Sequence, residues 1–173
     1  MKNAWKSHVP SSAGQLNMLN RQIAELIEND IPNLVGLWAD AVRDDTRIIS
    51  ADDLSDGGLK DHLDQVLEEL CEVLRAGEMP TVRNTLEARV SAYTRFRLGY
   101  RARDLACELS LLRMTLFNFL TRKLLASKTD IPIEKYMTAC QTINLYIDEE
   151  IRYAFSIYTE SEISREKVKF PSN

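Results

Sequence analysis

Few residues of this 173-residue chain are of the types that perform catalysis or bind metals. Its two histidines are His8, in a polar leader, and His62, beside an apolar stripe, and neither lies in an HxxxH or ExxH pattern that would add a second metal ligand. Cys71, Cys107 and Cys140 are too far apart for a CxxC clip, so we expect buried, reduced thiols. No nucleophile elbow, P-loop or dinucleotide fingerprint occurs. The chain is therefore predicted to be neither an enzyme nor a metalloprotein.

Two charged residues interrupt the most apolar part of the sequence, RLGYRARDLACELSLLRMTLFNFL (residues 97–120). Glu108 and Arg113 both border the leucine-rich face of the predicted helix. They are five residues apart and cannot pair with each other, because facing residues on a helix are three or four apart. Each is therefore expected to meet a partner from another helix or another chain. The alternative is that both side chains extend to solvent beside the core.

The charge of the chain is distributed unevenly around its net value of −4. Residues 1–80 hold 7 Lys and Arg against 15 Asp and Glu, whereas residues 81–125 hold 9 against 3. A basic block is the usual footprint of nucleic-acid binding, but no nucleic-acid-binding module is recognisable. We therefore expect the basic helices to face solvent or the acidic helix at residues 59–75, without a nucleic-acid partner.

The positions of the apolar residues predict which elements the chain forms. Helical spacing and few glycines and prolines indicate an all-α single domain of about six helices over residues 12–158, with a flexible leader at 1–11 and a polar tail at 159–173. Ser12 opens the first helix with a capping box, and Pro32 separates it from the second. No apolar run approaches the roughly 20 residues of a membrane span, and no signal peptide is present, so a cytoplasmic protein without membrane contact is expected.

The middle of the chain carries the most specific helix predictions. After a loop at residues 45–58, an amphipathic surface helix begins at Leu59. The following helix starts from an N-cap at Thr81, and Gly99 marks a junction. Residues 102–125 form a helix that is apolar on several sides and is therefore predicted to be the buried central helix. The helix after Thr81 is predicted to bury Val82, Leu86, Val90, Tyr93, Phe96 and Leu98.

Three short motifs resemble those of a known signalling family, the N-terminal sensor-like domain of RsbT co-antagonist proteins. Domains of this kind also precede output modules of some bacterial signalling proteins and kinases. The resemblance covers about residues 16–155. The motifs are L-x-D-H (Leu59, Asp61, His62), R-x-x-x-G-[FY] (Arg95, Gly99, Tyr100) and E-L-x-L-L-R (Glu108 to Arg113).

The resemblance implies a helical bundle or globin-like domain that binds partners or a signal and has no catalytic activity. It places Glu108 and Arg113 in or next to an inter-helix or dimer contact. The sequence departs from the family pattern at Ser91, where family members commonly carry histidine, and no output domain is expected after residue 158. Further candidates for the polar contact are Arg95, Tyr100, His62 and Asp61.

The leading hypothesis is a stand-alone regulatory module of bacterial stress-response signalling that homodimerises through its long helices and binds a protein partner. No cofactor is expected on this hypothesis. The alternative is a sensor or carrier that holds haem or another small apolar ligand in its helical core. The residues predicted to line that pocket are Trp38, Tyr93, Phe96, Tyr100, Phe117 and Phe119.

Overall fold

A computed structural model describes residues 12–49, 54–77, 79–81, 85–126 and 132–169 of the chain. Within these residues the protein is all-helical and has no strand, which confirms the predicted fold class. Six of the seven helices have twelve or more residues. No helix among the described residues is both long enough and apolar enough to cross a membrane. The helices are α1 (Ser12–Glu28), α2 (Ile31–Asp44), α3 (Asp56–Lys60), α4 (Leu63–Ala76), α5 (Leu86–Arg97), α6 (Ala102–Ala126) and α7 (Ile133–Lys169).

The predicted break between α1 and α2 is confirmed. The described part of α1 begins at Ser12, next to residues outside the described part of the chain, and the chain breaks at Asn29 and Asp30 before Pro32 enters the first turn of α2. Proline is well placed there, because the first helical N–H groups have no partner within the helix. The second helix ends at Asp44, as expected.

The predicted start of a helix at Leu59 is wrong. The short helix α3 occupies the end of the predicted loop, capped by Ser55, whose Oγ accepts a hydrogen bond of 3.1 Å from the Gly58 N–H. His62 then has a left-handed backbone (φ 65°), and α4 begins only at Leu63. This break leaves backbone carbonyl groups at the end of α3 available to a side chain from elsewhere.

The helix α4 is amphipathic as predicted, and Gly77 is its left-handed C-cap. The Gly77 N–H donates to the carbonyl groups of Val73 and Leu74. The predicted stripe is fully buried from Leu63 onward, whereas the opposite face is acidic and exposed. The buried residues of α4 are Leu63, Val66, Leu67, Leu70, Cys71, Val73 and Leu74.

The predicted start and buried face of α5 are both wrong. The helix starts at Leu86 with Thr85 as N-cap rather than at Thr81, and Val82 lies outside the described residues. It buries Ala88, Ala92 and Arg95, and it exposes four of the apolar residues that were predicted to be buried. Small alanines allow neighbouring helices to approach closely, and buried polar contacts described below fix the rotation of the helix. The exposed residues are Leu86, Val90, Tyr93 and Leu98.

The two longest helices, α6 and α7, pack against each other, and α6 also packs against α2. The bounds of α6 match the prediction to within one residue. One face of α6 is in the core, including Leu112 and Leu116, while the opposite face exposes Ser110 and Met114, so the prediction that this helix is buried on several sides is wrong. At 37 residues, α7 is longer than expected and runs to Lys169, into the segment predicted as a polar tail.

Candidate functional site

Glu108 is the centre of a buried polar cluster between α5 and α6. Its carboxylate accepts a hydrogen bond from the Tyr100 hydroxyl and lies 3.4 Å from Nε of Arg95. The indole N–H of Trp38 donates to the backbone carbonyl of Glu108 at 3.0 Å. The prediction that Glu108 finds a partner on another helix is therefore confirmed, and the solvent-exposed alternative is wrong for this residue, whose side chain is only 3% exposed.

A helix-ending turn brings Arg95 and Tyr100 to Glu108. Gly99 has φ 82°, its N–H donates to the carbonyl of Phe96, and the Tyr100 N–H donates to the carbonyl of Arg95. This is the hydrogen-bond pattern of a Schellman motif, in which the residue after a left-handed glycine lies close to the third-last residue of the helix. The Arg95 guanidinium lies 5.3 Å from the centre of the Tyr100 ring. The R-x-x-x-G-[FY] spacing is thus the spacing of this turn.

Arg95 also joins α5 to the end of α3. Its guanidinium donates to the carbonyl oxygen of Gly58 at 2.7 Å and to that of Leu59. These carbonyl groups have no helical partner because α3 ends there. One buried cation therefore satisfies a carboxylate and two backbone groups, which is the condition under which a buried charge is tolerated.

The helix α7 meets the same cluster through Tyr158. Its hydroxyl donates to the backbone carbonyl of Tyr100 at 2.7 Å, and its ring packs edge-on against Phe96 with centroids 5.0 Å apart. Burial raises the pKa of Tyr158 to about 12. Both tyrosine hydroxyl groups of this region therefore act as neutral donors near pH 7.

Burial and pairing act in opposite directions on the protonation of Glu108. Burial raises the pKa of the Glu108 carboxyl above its usual value, whereas the Arg95 guanidinium and the Tyr100 hydroxyl favour the charged form. Burial and the adjacent Glu108 charge raise the pKa of Tyr100 as well. Since Glu108 touches both a cation and a hydroxyl donor, we assign it as the charged member of the cluster.

A second polar contact holds the first turn of α5. The Glu69 carboxylate of α4 accepts hydrogen bonds from the backbone N–H of Glu87 at 2.8 Å and of Ala88 at 3.5 Å. It also accepts one of 2.6 Å from the hydroxyl of the fully buried Tyr146. A carboxylate at this position satisfies helix N–H groups and interacts favourably with the helix dipole. Thr85, the N-cap, makes no such side-chain bond.

Glu150, on α7, is a buried carboxylic acid whose surroundings differ from those of Glu69 and Glu108. The residue is 1% exposed, and neither carboxyl oxygen has a hydrogen-bond partner among the described residues. The nearby Thr85 hydroxyl donates to the carbonyl of Thr81 and accepts from Nε of Arg89. Burial raises the pKa of Glu150 to about 8, against the opposing effect of the Arg89 charge. The group is therefore mostly protonated at neutral pH.

A small cavity lies between the two carboxylic acids. Its volume is about 30 Å³, and Arg95, Glu108 and Glu150 line it together with Trp38 and apolar residues of α4 and α6. Because one water molecule needs roughly 10 to 15 Å³ of such volume, the cavity has room for about two waters. A tetrapyrrole does not fit this volume.

The aromatic residues predicted to line a ligand pocket do not share a cavity. Trp38 reaches the small cavity, whereas Tyr93 is 49% exposed on the outside of α5. Phe96 packs on α7, and Phe117 is half-buried on α6. Phe119 is buried in the core, with the Lys123 ammonium 5.2 Å from its ring centre. The structure therefore separates the predicted lining residues.

The other predicted polar residues lie outside the Glu108 cluster. Arg113 pairs with Asp148 of α7, with side chains 25% and 52% exposed. This confirms an inter-helix partner for Arg113, at a partly exposed position. His62 contacts the adjacent Asp61 at 3.4 Å in the turn between α3 and α4, and Asp61 reaches the rim of the cavity.

The described part of the chain gives little support for metal binding or for a reactive thiol. No group of three or more His, Cys, Asp or Glu residues there is placed to hold a metal ion. Cys71, Cys107 and Cys140 are free, as predicted; Cys71 and Cys140 are buried, whereas the predicted burial of Cys107 is wrong, because it is only half-buried. Burial raises the pKa of Cys71 to about 12, so this thiol is neutral at physiological pH.

The sequence reasoning missed Glu69, Tyr146 and Glu150. A signal for Glu150 existed, because Ile143, Ile147 and Glu150 follow one another at helical spacing on a buried face of α7. A charged residue on such a stripe marks a buried polar group, as Glu108 does on α6. No comparable signal exists for Glu69, since five other acids surround it in α4 and its neighbours in sequence.

Comparison with known proteins gives one finding. The profile of the RsbT co-antagonist protein rsbRD N-terminal domain matches residues 32–166, more than three quarters of the chain. Searches of curated proteins and of solved structures found no match, so the globin-like form of the fold stays a prediction. The matched family is regulatory and in general non-catalytic. The chain belongs to the RsbT co-antagonist protein rsbRD N-terminal domain family.

Proposed function

We propose that this protein is a non-catalytic signalling module that forms a homodimer through the outer face of α6 and binds a protein partner. Family membership supports the regulatory role. The observation that carries the dimer is an open apolar groove on α6. Apolar side chains that share one exposed groove can be buried together by a partner, and their removal from water favours association.

The groove runs along α6 and is closed on one side by Phe155 of α7. Its volume is about 600 Å³. Met114 and Phe155 are about half exposed, and Leu111 and Cys107 are half-buried in its floor. These side chains would be removed from water by a second copy of the same surface, in a two-fold arrangement in which each chain presents the same residues.

The shape of the groove favours a helix as its occupant. Ala102, Ala106 and Ser110 follow one another at intervals of four residues along its length. Small side chains at this spacing allow another helix backbone to approach α6 closely. Met114 continues the same line and supplies an apolar contact at its end. A symmetric pairing of two α6 helices satisfies both requirements.

Charge reversal in the groove tests the dimer. Met114→Glu and Phe155→Glu place a carboxylate where the second chain is proposed to lie, so both variants are expected to sediment as monomers while the native chain sediments as a dimer. Gln141→Glu, at an exposed position of α7 outside the groove, is the control and is expected to remain dimeric. A native chain that is monomeric at tens of micromolar contradicts the dimer.

RsbT is the first protein to test as a partner, because the family description names it. We expect immobilised RsbT to bind the full chain. We expect it not to bind a control protein whose surface residues have been scrambled. Absence of binding would exclude RsbT as a direct partner and leave the dimer measurement unaffected. The two parts of the proposal are therefore separately testable.

A further inference from the structure

The outer face of α5 carries a row of large side chains that the other described helices leave exposed. Leu86, Val90, Tyr93 and Arg97 lie at intervals of four, three and four residues, so they form one line along the helix. Leu86 is 59% exposed, Val90 39% and Tyr93 49%. The row is three turns long, which is the length over which grooves and helices usually recognise each other.

Polar contacts hold α5 in the rotation that turns this row outward. Glu69 holds the first turn of α5, and Arg95 holds its last turn to α3 and α6. In between, the Arg89 guanidinium pairs with Glu149 at 3.3 Å and lies 4.1 Å from the centre of the Tyr153 ring. Turning Leu86 and Tyr93 into the core would break all of these contacts and leave buried charges unpaired. The exposure of the row is therefore built into the fold.

The composition of the row matches that of a protein interface. Tyrosine and arginine are the residue types enriched at interface hot spots, and Phe96 and Tyr158 flank the row with partly buried rings. Arg97 is exposed, and no ion pair to it is found among the described residues. The surface thus combines an apolar line with a cation at one end.

The charge of this region indicates the kind of partner. The row contains no acid, and Arg97 is its exposed charge; the other arginines of α5, Arg89 and Arg95, are paired with Glu149 and Glu108. The exposed charge of the row is therefore positive, and it is complementary to acidic groups.

Segments of the protein itself fit this surface poorly. The leader at residues 1–11 contains two lysines and no acid, so its charge is of the wrong sign. The exposed acids of α4, Asp64, Glu68 and Glu72, are not interleaved with exposed apolar residues, so α4 of a second copy offers no matching row.

We infer that the outer row of α5 is the docking site for an amphipathic helix of a protein partner that carries acidic residues beside its apolar ones. The inference rests on the proposed function in that it assumes a protein partner, and it names the chemistry of that partner. It does not depend on the dimer.

Labelled helical peptides test the inference against the full chain. The first peptide carries leucines at intervals of four, three and four residues flanked by glutamates, the second replaces every glutamate by lysine, and the third is a scrambled form of the first. Fluorescence anisotropy is expected to show the acidic peptide binding at least about ten-fold more tightly than the other two. Equal affinity of the three peptides would overturn the inference.

Two variants locate the binding site. Tyr93→Ala is expected to weaken binding of the acidic peptide by about ten-fold, because hot-spot tyrosines contribute that much on truncation. Arg97→Glu is expected to remove the preference for the acidic over the lysine peptide. Gln141→Ala, at an exposed position of α7, is the matched control and is expected to bind like the native chain. Full binding by Tyr93→Ala overturns the assignment to α5.

Sedimentation of the same variants separates this inference from the dimer. Tyr93→Ala and Arg97→Glu are expected to keep the oligomeric state of the native chain. If either variant alone converts a dimer into a monomer, a second copy occupies the α5 row and the inference is wrong. If the native chain is monomeric yet binds the acidic peptide through α5, the dimer proposal fails and this inference stands.

Discussion

Glu108 and Glu150 are two carboxylic acids buried against the same small cavity, and their surroundings differ. Glu108 has a hydroxyl donor and a guanidinium within contact distance, and the turn at Gly99 places both of them. Glu150 has no hydrogen-bond partner among the described residues, and its pKa is raised to about 8. The first is a structural charge and the second is a titratable group near neutral pH.

This difference shows that burial alone does not decide the state of a charge. Both residues lie on long helices, and both are almost inaccessible to water. What distinguishes them is the donors that other helices supply, since desolvation is offset only by pairing and hydrogen bonds. Removing those donors from Glu108, or removing the acid from Glu150, therefore tests the comparison from both sides.

The largest effect is expected for Arg95→Ala. It leaves Glu108 buried without its cation and leaves the carbonyl groups of Gly58 and Leu59 without a donor, which we expect to lower the free energy of unfolding by about 3 to 5 kcal/mol. Urea denaturation measures the loss. Arg97→Ala, two residues along on the exposed face of α5, is the control and is expected to change stability by less than about 0.5 kcal/mol. Similar small effects of both substitutions would show that the cluster is not a stabilising contact.

The next effect is the pH dependence that Glu150 gives to stability. Its pKa is higher in the folded than in the unfolded chain, so the folded state holds a proton that the unfolded state has released. The contribution of Glu150 to stability is therefore greatest at low pH and falls as pH rises from about 4.5 to about 8. At 1.36 kcal/mol per pKa unit, the loss between pH ~6 and pH ~8 is about 2 kcal/mol.

Glu150→Gln isolates this contribution, because the amide does not titrate. Chemical denaturation across the pH range is expected to show that the free energy of unfolding of the variant, relative to that of the native chain, increases by about 2 kcal/mol from pH ~6 to pH ~8. Glu149→Gln, one residue earlier and already paired with Arg89, is the control and is expected to keep the native slope. If the free energy of unfolding depends on pH in the same way for the native chain and for Glu150→Gln, Glu150 is charged throughout this pH range.

A smaller effect is expected when the turn that serves Glu108 is strained. Gly99→Ala forces a side chain into a left-handed conformation at a cost of about 1 to 2 kcal/mol, although a Cβ at this position meets no atom within 4 Å. Gly36→Ala is the matched control, because Gly36 is helical and equally open. It is expected to raise stability by about 0.5 to 1 kcal/mol. In thermal denaturation, the melting temperature should therefore fall for Gly99→Ala and rise for Gly36→Ala.

The smallest effect is expected for Arg113→Ala. Arg113 looks equivalent to Glu108 in the sequence, but its pair with Asp148 is partly exposed, and such pairs contribute about 0.2 to 1 kcal/mol. A double-mutant cycle with Asp148→Ala measures the coupling between the two residues. A coupling above about 2 kcal/mol would place this pair in the same class as the Glu108 cluster.

Much of the fold was predictable because helical periodicity is a local property. The spacing of leucines predicted α6 to within one residue, and Pro32 marked the break between α1 and α2 through its own backbone preference. The predictions failed where a tertiary contact overrides the local pattern. The helix from Leu59 breaks at His62, and the carbonyl groups at that break bind Arg95.

The candidate site was predictable only in part. The motifs singled out Glu108, Arg95 and Tyr100, and the structure brings these three together. The sequence could not show that the predicted aromatic pocket residues diverge, or that Glu150 faces the same cavity as Glu108. Both facts depend on how separate helices are rotated against one another, which a single helix does not encode.

The sequence by itself determined an all-α chain and the bounds of helix α6, because these follow from the period of apolar residues along each segment. Only the tertiary structure decided which face of α5 turns inward, which of Glu108 and Arg113 is buried, and which buried acid lacks a partner. The physical reason is that a charge in the core is stabilised by donors on other helices, and the placement of those donors is a property of the packed helices together.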